Sequence, residues 1–333
     1  MNEIDFVLLW VDGNDPKWRK EFEYYTAKHD GDKRDIRFRD WNILRYLFRA
    51  FESFTPWVRK IHFVTWGHLP HWLNADHPKL HIVRHSEYMD ENNLPVFNAN
   101  PIEINMYRIN DLAEHFVFFN DDLFIVSPIP QDRFFKDGLP CDMAIANALS
   151  SSSGTGHFVL NDLEILNRHF DKRTAVKRNV SKWFSPRYGK EVVRNLALMP
   201  WPRFTGFVDP HMPQPFLKST FEELWAKEAE VLAKTSASKF RSCDDINQYL
   251  FRYWQLAKGT FHPVSMCDTR YVELTKVAME NSIVEEAICS GRYAMICLND
   301  SDEMNDIALF EKSKQQLIEY FEAILPQRSS FEK

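Results

Sequence analysis

The sequence predicts an α/β fold: a doubly wound, mostly parallel sheet with an inserted helical cap. Three observations carry that reading. Short apolar runs rich in β-branched and aromatic residues alternate with segments of helical periodicity; polar residues gather where those runs end; and one central stretch, 158–198, is helical and basic with no strand of its own. Alternating strands and helices build parallel sheets, and such sheets bind ligands outside the carboxyl ends of their strands.

The first run, Ile4 to Val11, reads as a buried strand closed by the turn Asp12-Gly13-Asn14-Asp15-Pro16, with Pro16 suited to the first helical position. From 40 to 54, Ile43, Leu44, Leu47, Phe48, Phe51 and Phe54 recur at helical spacing. Residues 60–65 and 80–83 read as further strands, 105–114 as a helix, and 115–119 as a strand ending at Asn120-Asp121-Asp122. Ser150 to Gly156 reads as a flexible linker leading into the basic cap, whose Lys and Arg side chains suit an anionic acceptor. Five prolines between 200 and 215 predict an extended loop; helices resume near 218–234 and 243–257, and 305–325 reads as an amphipathic terminal helix. One catalytic domain over 1–325, formed by N- and C-terminal parts around the 158–198 insertion, accommodates this order.

Composition removes several function classes. The 333 residues carry 41 basic and 47 acidic side chains, a net charge of −6, which argues against a non-specific nucleic-acid binder. Hydrophobic residues at 44% exclude wholesale disorder, and 10 glycines leave no Gly-rich dinucleotide loop. The five cysteines, at 141, 243, 267, 289 and 297, form no CxxC pair, so neither a disulfide framework nor a cysteine zinc site is expected, and a reducing cytoplasm fits. The N-terminus lacks the pattern of a signal peptide and no run approaches the roughly 20 apolar residues of a membrane span, which leaves peripheral association with the inner membrane open.

Three polar clusters end apolar runs. In the first, around Trp10, Asp12 and Gly13, the carboxylates suit a metal or a ribose, or else an Asx turn with a helix cap. In the second, the adjacent carboxylates of Asp121 and Asp122 repel each other, and Mg2+ or Mn2+ bridging to diphosphate oxygens relieves that; the alternative is a solvated turn. The third joins Pro210-His211-Met212-Pro213 to Phe240-Arg241-Ser242-Cys243-Asp244-Asp245. There His211 can change charge near neutrality and Arg241 presents a rigid fork for phosphate oxygens; the alternatives are a capped loop and an Arg241–Asp244 ion pair. Arg39, Asp40, Asn42 and Arg45 form a further patch, in which Asn42 and Arg45 would share a helix face and Asp40 would serve as the helix N-cap.

Together these segments resemble the Stealth family of bacterial capsular-polysaccharide phosphotransferases and the catalytic region of animal N-acetylglucosamine-1-phosphotransferase. DFVLLWVDGNDP at 5–16 resembles the family's first block; residues 37–74, with RFRDWNILRYLFRAFESFTPWVRKIHFVT, then VFNANPIEINMYRI at 96–109 and FFNDDLFI at 118–125 its second; DPHMPQPF at 209–216 with FRSCDDINQYLFRYWQLAKG at 240–259 its third; and CLND at 297–300 its fourth. Trp41 departs from the family's usual Asn, and Asn98-Ala99-Asn100-Pro101 stands where the family often has Asn-Ser-His-Ala.

The resemblance implies a nucleotide-sugar-transferase-like fold and transfer of a sugar-1-phosphate, N-acetylhexosamine-1-phosphate from a UDP-sugar of the UDP-GlcNAc type, to a glycan hydroxyl with release of UMP. It implies catalytic roles for Asp12, Asp121, His211 and Arg241, and Mg2+ or Mn2+ on Asp121 and Asp122. Donor binding falls to Trp10, Gly13, Arg39, Asp40, Asn42, Arg45, Asn98, Glu103, Arg108 and Asn120. The implied partners are a nucleotide-sugar donor and a polysaccharide acceptor, with no nucleic acid. A glycosyltransferase that releases UDP and a non-catalytic glycan-binding protein are the alternatives.

Overall fold

The computed structural model describes residues 3–150 and 155–333. Among them the strands run β1 Ile4–Leu9, β2 Ile61–Thr65, β3 Leu80–Arg84, β4 His115–Phe119, β5 Leu123–Ile125, β6 Phe135–Lys136, β7 Leu139–Asp142, β8 Gln214–Leu217, β9 His262–Pro263, β10 Thr269–Glu273 and β11 Met295–Asn299. The helices are α1 Pro16–Thr26, α2 Leu44–Phe54, α3 Ala99–Asn105, α4 Thr155–His169, α5 Lys172–Arg178, α6 Val180–Trp183, α7 Val192–Leu198, α8 Lys218–Lys227, α9 Ala229–Ser236, α10 Tyr249–Lys258, α11 Lys276–Glu280, α12 Ile283–Cys289 and α13 Ile307–Ile324.

The central sheet has the order β3-β2-β1-β4-β8, with β1 to β4 parallel and β8 antiparallel on the outer edge of β4. Burial on both faces is why its strands read as continuous apolar runs. Successive side chains divide between two cores. Phe6 and Leu8 join Phe51, Phe63, Phe119, Phe124 and Phe321 beneath α2, α13 and a second sheet, β10-β11-β5. Val7, Leu9, Phe116 and Phe118 join Leu166, Trp183, Phe221, Phe251 and Trp254, drawn from α4, α6, α8 and α10. Each fully buried large apolar side chain contributes about 1.5–3 kcal/mol, so apolar burial fixes the sheet between its layers.

Two registers then bring distant residues to one place. β8 pairs with β4 so that Gln214 lies opposite Phe118, which sets residues 211–213 beside the turn that follows β4. β11 runs antiparallel to β5 with Cys297 opposite Leu123, and the Leu298 N–H donates to the Asp122 carbonyl at 2.9 Å.

Several expected elements shift. α2 begins at Leu44 because Asn42 takes a left-handed φ of 56° and Ile43 occupies the cap position. Asp40 therefore caps no helix, its Oδ1 accepting from the Asn42 N–H instead, and Asn42 and Arg45 share no helix face. The helix expected over 105–114 lies earlier, as α3, because the Asn98 side chain caps it by accepting from the Asn100 N–H; Asp111, at φ 60°, terminates the turns that follow. The proline-rich loop ends in β8, whose edge position tolerates Pro215. The 218–234 helix divides at Glu228, and 243–248 turns before α10 begins.

Ser151 to Gly154, the heart of the expected linker, lie outside the described residues. The 158–198 segment is helical, with α4 packed on α10. Several of its basic side chains are tied to protein: Arg168 to Glu228, Lys172 to the Leu198 and Trp201 carbonyls, Lys182 to the Gly259 carbonyl and Arg194 to Glu191.

Candidate active site

The site lies at the carboxyl end of β4. Asp122 Oδ2 stands 3.3 Å from His211 Nε2 and accepts from the Cys297 thiol at 3.5 Å. On its other side His211 Nδ1 meets the Tyr249 hydroxyl at 3.4 Å, so the ring is held at both nitrogens. His211 itself has φ 48°, a left-handed conformation that is uncommon for a non-glycine residue and is kept only where the surroundings enforce it.

Those surroundings are a buried ion network. Arg252 of α10 is fully buried and bonds Asp142 through Nε at 2.8 Å and Nη2 at 2.9 Å, while Nη1 reaches Asp209 at 2.6 Å. The Tyr253 hydroxyl donates to the other Asp209 oxygen, and Gln214 Nε2 donates to Asp142 at 3.1 Å. The loop carrying His211 is thus pinned at 209 and at 214 to a single Asp142–Arg252 pair. None of these four anchors was expected to act. The available signal was Arg252 itself, a cation inside the otherwise uncharged YLFRYWQLA stretch, which requires a buried carboxylate.

Charge in the site is strongly coupled. Burial lowers the His211 pKa, but the hydrogen bond and charge of Asp122, with Glu103 and Asp209 beyond, outweigh it and raise His211 above the ordinary imidazole value. Asp121 is reached by water yet surrounded by protein; that enclosure, then the Asp122 charge, push its carboxyl up to about 7. Buried Glu103 is raised by burial, opposed by Arg241, by the Gln248 backbone and by His211. Glu103, Arg241 and His211 therefore face one another across the same region. Arg241 also lies over Phe158, with 5.7 Å from guanidinium to ring centroid, and Asp244 pairs with Lys234 rather than with Arg241.

The remaining predicted residues fall into three groups. The first borders the site. Asp12 follows β1; its N–H donates to His68 Nε2 at 2.7 Å and its Oδ1 closes an Asx turn on the Asn14 N–H. Trp10 stacks on Phe63 and meets His68 edge-on. A Cβ on Gly13 would stand 2.5 Å from the Phe38 Cβ and carbonyl oxygen, so glycine is required there for close packing of two segments. The Asn120 carbonyl accepts from the Leu123 N–H and shapes the NDD turn, while Asp40 adds its charge to that on Asp121.

The second group is tied to other blocks. Arg39 pairs with Asp300 at 3.0 Å, and Trp41 Nε1 donates to the other Asp300 oxygen at 3.1 Å. Asn98 and Asn100 both donate to buried Asp245, at 2.8 and 3.0 Å. The third group points elsewhere. Arg45 packs over Trp72 at 5.6 Å and acts on Glu332 near the C-terminus; Arg108 packs over Trp225 at 4.3 Å.

Three conserved regions of the Stealth proteins match the chain: conserved region 1 over residues 2–30, region 2 over 37–141 and region 3 over 210–254. Capsular polysaccharide phosphotransferase WcwK of Streptococcus pneumoniae is 38% identical over 338 residues, covering 100% of this chain and 99% of that one. Receptor polysaccharide phosphotransferase WefC of Streptococcus oralis is 38% identical, covering 100% of both. Exopolysaccharide phosphotransferase cps2G of Lactiplantibacillus plantarum is 38% identical, covering 99% of this chain and 96% of that one. Among solved structures, galactosyltransferase LgtC with donor and acceptor sugar analogs aligns over 96% of both chains at 9% identity and a TM-score of 0.37, and apo mouse xyloside xylosyltransferase 1 over 89% and 98% at 11% and 0.37. Likeness at that level decides nothing about chemistry.

Proposed function

Because the chain belongs to the Stealth family, whose relatives named above are polysaccharide phosphotransferases, we propose that it transfers a sugar-1-phosphate from a UDP-sugar to a glycan hydroxyl in cell-surface polysaccharide synthesis, releasing UMP. The observation that carries this reading is the Asp122–His211 pair, 3.3 Å apart and set beside Asp121 at a strand end.

The acceptor oxygen attacks the sugar-bearing phosphorus of the donor, and the bond from that phosphorus to the bridging oxygen breaks, so UMP departs. His211 takes the acceptor proton as one half of its pair with Asp122. Asp122 orients the ring and stabilises the imidazolium that forms. Arg241 clamps the oxygens of the transferred phosphate, and Asp12 anchors the donor. Phosphoryl transfer depends on such positioning and charge stabilisation more than on covalent chemistry.

The residues fit a hard divalent cation. Asp122 Oδ1 is buried with no hydrogen-bond partner among the described residues, and Asp121 is a carboxylate whose charge is disfavoured without a counter-ion. Asp121 and Asp122 would hold Mg2+ or Mn2+, which when bound neutralises the donor diphosphate. No helix of the described residues is long and apolar enough to cross a membrane.

A panel of nucleotide sugars with Mg2+ and a glycan acceptor tests the reaction, with the released nucleotide identified by mass spectrometry. UMP is the expected product. UDP would replace this reading with glycosyl transfer, and no turnover with any donor would leave a glycan-binding protein.

A further inference from the structure

We propose that Asp122, His211 and Cys297 form a binding site for a thiophilic divalent cation of the Zn2+ class, and that filling it shuts transfer off. The shut-off rests on the reaction proposed above; the binding does not. Among the described residues these three bring a carboxylate oxygen, an imidazole nitrogen and a thiol sulfur within 4.8 Å of one another. A tetrahedral ion with bonds of about 2.0–2.1 Å to N or O and about 2.3 Å to S sets its N and O ligands about 3.3 Å apart, and an S and O pair about 3.6 Å apart. The observed separations are 3.3 Å for His211 Nε2 to Asp122 Oδ2 and 3.5 Å for Cys297 Sγ to the same oxygen. Two edges of a tetrahedron are therefore already set, with no rearrangement of the chain.

The approach is also present. Cys297 is buried, but the Asp122 and His211 side chains are 26% and 35% exposed, so an ion enters from their side. The donor set selects the metal. Mg2+ prefers an octahedron of oxygens and keeps its waters, whereas Zn2+ takes thiolate, imidazole and carboxylate together. On binding, the Cys297 S–H bond breaks, a sulfur–metal bond forms, and the proton leaves to solvent, together with any proton on His211 Nε2. His211 and Asp122 are then both ligands of the ion, so the pair takes no proton from the acceptor and Asp122 is withdrawn from the hard cation.

Co2+ titrated into the full-length protein reads the site without turnover. Wild type is expected to show a thiolate-to-metal charge-transfer band that Zn2+ displaces and that persists in Cys243→Ser, a change at an exposed cysteine. Cys297→Ser should abolish the band and weaken metal binding at least about 10-fold, since losing even an outer-shell partner costs about 10–100-fold. Should that buried substitution impair folding, His211→Gln at the partly exposed position should weaken binding comparably. Zn2+ should inhibit UMP release in excess Mg2+, with the inhibitory concentration rising at least about 10-fold in Cys297→Ser relative to that variant's own uninhibited rate. No charge-transfer band in wild type, or unchanged Co2+ affinity in both variants, overturns the site. A Co2+ band without Zn2+ inhibition overturns the shut-off alone.

Discussion

Replacing Arg252 by Met keeps much of the side chain's volume and removes its charge. Asp142 then retains Gln214 Nε2 and the Met143 N–H, and Asp209 retains the Tyr253 hydroxyl. Breaking a buried pair by removing one partner costs about 3–5 kcal/mol, because the carboxylates stay behind uncompensated. Against a total stability of about 5–15 kcal/mol that is a large share, readable as a lower urea midpoint at unchanged slope. The loss should depend on pH with a defined sign. Burial already pushes the Asp209 carboxyl up to about 6 despite Arg252. A carboxyl with a folded pKa above its unfolded value binds its proton more readily when folded, so it stabilises below the unfolded value and that stability is lost as pH rises through the folded pKa. Without Arg252 the folded pKa climbs further, so the deficit relative to wild type should be greatest near pH 8 and shrink towards pH 5. Adding Asp142→Asn and Asp209→Asn to the variant should recover part of the loss. Activity should fall as well, since both anchors of the His211 loop depend on this pair. A loss below about 1 kcal/mol, or one that is flat from pH 5 to 8, would refute the view that Arg252 organises the site.

His211→Ala should lower turnover by about 10²–10⁴-fold with the thermal melt unchanged, and near-normal activity would remove it from the mechanism. Arg241→Ala should cost about 10²–10³-fold, the magnitude typical of a lost donor to developing charge. The acidic limb of the kcat profile should lie above the ordinary imidazole value, with rate rising as His211 loses its proton, and Asp122→Asn should move that limb downward by removing the hydrogen bond and charge that raise it. Chelation with EDTA should abolish transfer, Mg2+ or Mn2+ should restore it, and Asp121→Asn should raise the metal concentration required; full activity in chelated buffer leaves both carboxylates a structural role. Gly13→Ala should destabilise by about 1–3 kcal/mol in a thermal melt, because its Cβ meets the Phe38 backbone.

Much of the sheet was legible because its strands are short apolar runs ended by polar turns, as at Phe119 followed by Asn120, and the same punctuation marked the NDD turn and the WVDG turn. Periodicity misplaced helix starts where local side-chain bonds override it. Asn98 captures the Asn100 N–H and starts α3 six residues before the expected 105, and Asn42 in the left-handed region delays α2. The Asp12 cluster shows why a motif leaves alternatives open: its Oδ1 does close the Asx turn, and that bond engages one carboxylate oxygen while the residue still sits at the strand end where a donor would bind. Register was not legible. Nothing in CLND tells that Cys297 lies on Asp122, 175 positions away, because that contact follows from β5 pairing antiparallel with β11.

The left-handed backbone of His211 depends on the buried ion network around it. A non-glycine residue in that region costs about 1–2 kcal/mol, which an unrestrained loop would relieve by relaxing. Here relaxation is blocked at both ends: Asp209 is clamped by Arg252 and Tyr253, while Gln214 is held by Asp142 and by its pairing with Phe118. The conformation that results sets Nε2 on Asp122 and Nδ1 on Tyr249. The buried ion network is therefore what fixes where the His211 ring stands. That is why FRYW at 251–254 and DPHMPQPF at 209–216, with 34 residues between them in sequence, act as one unit in the fold.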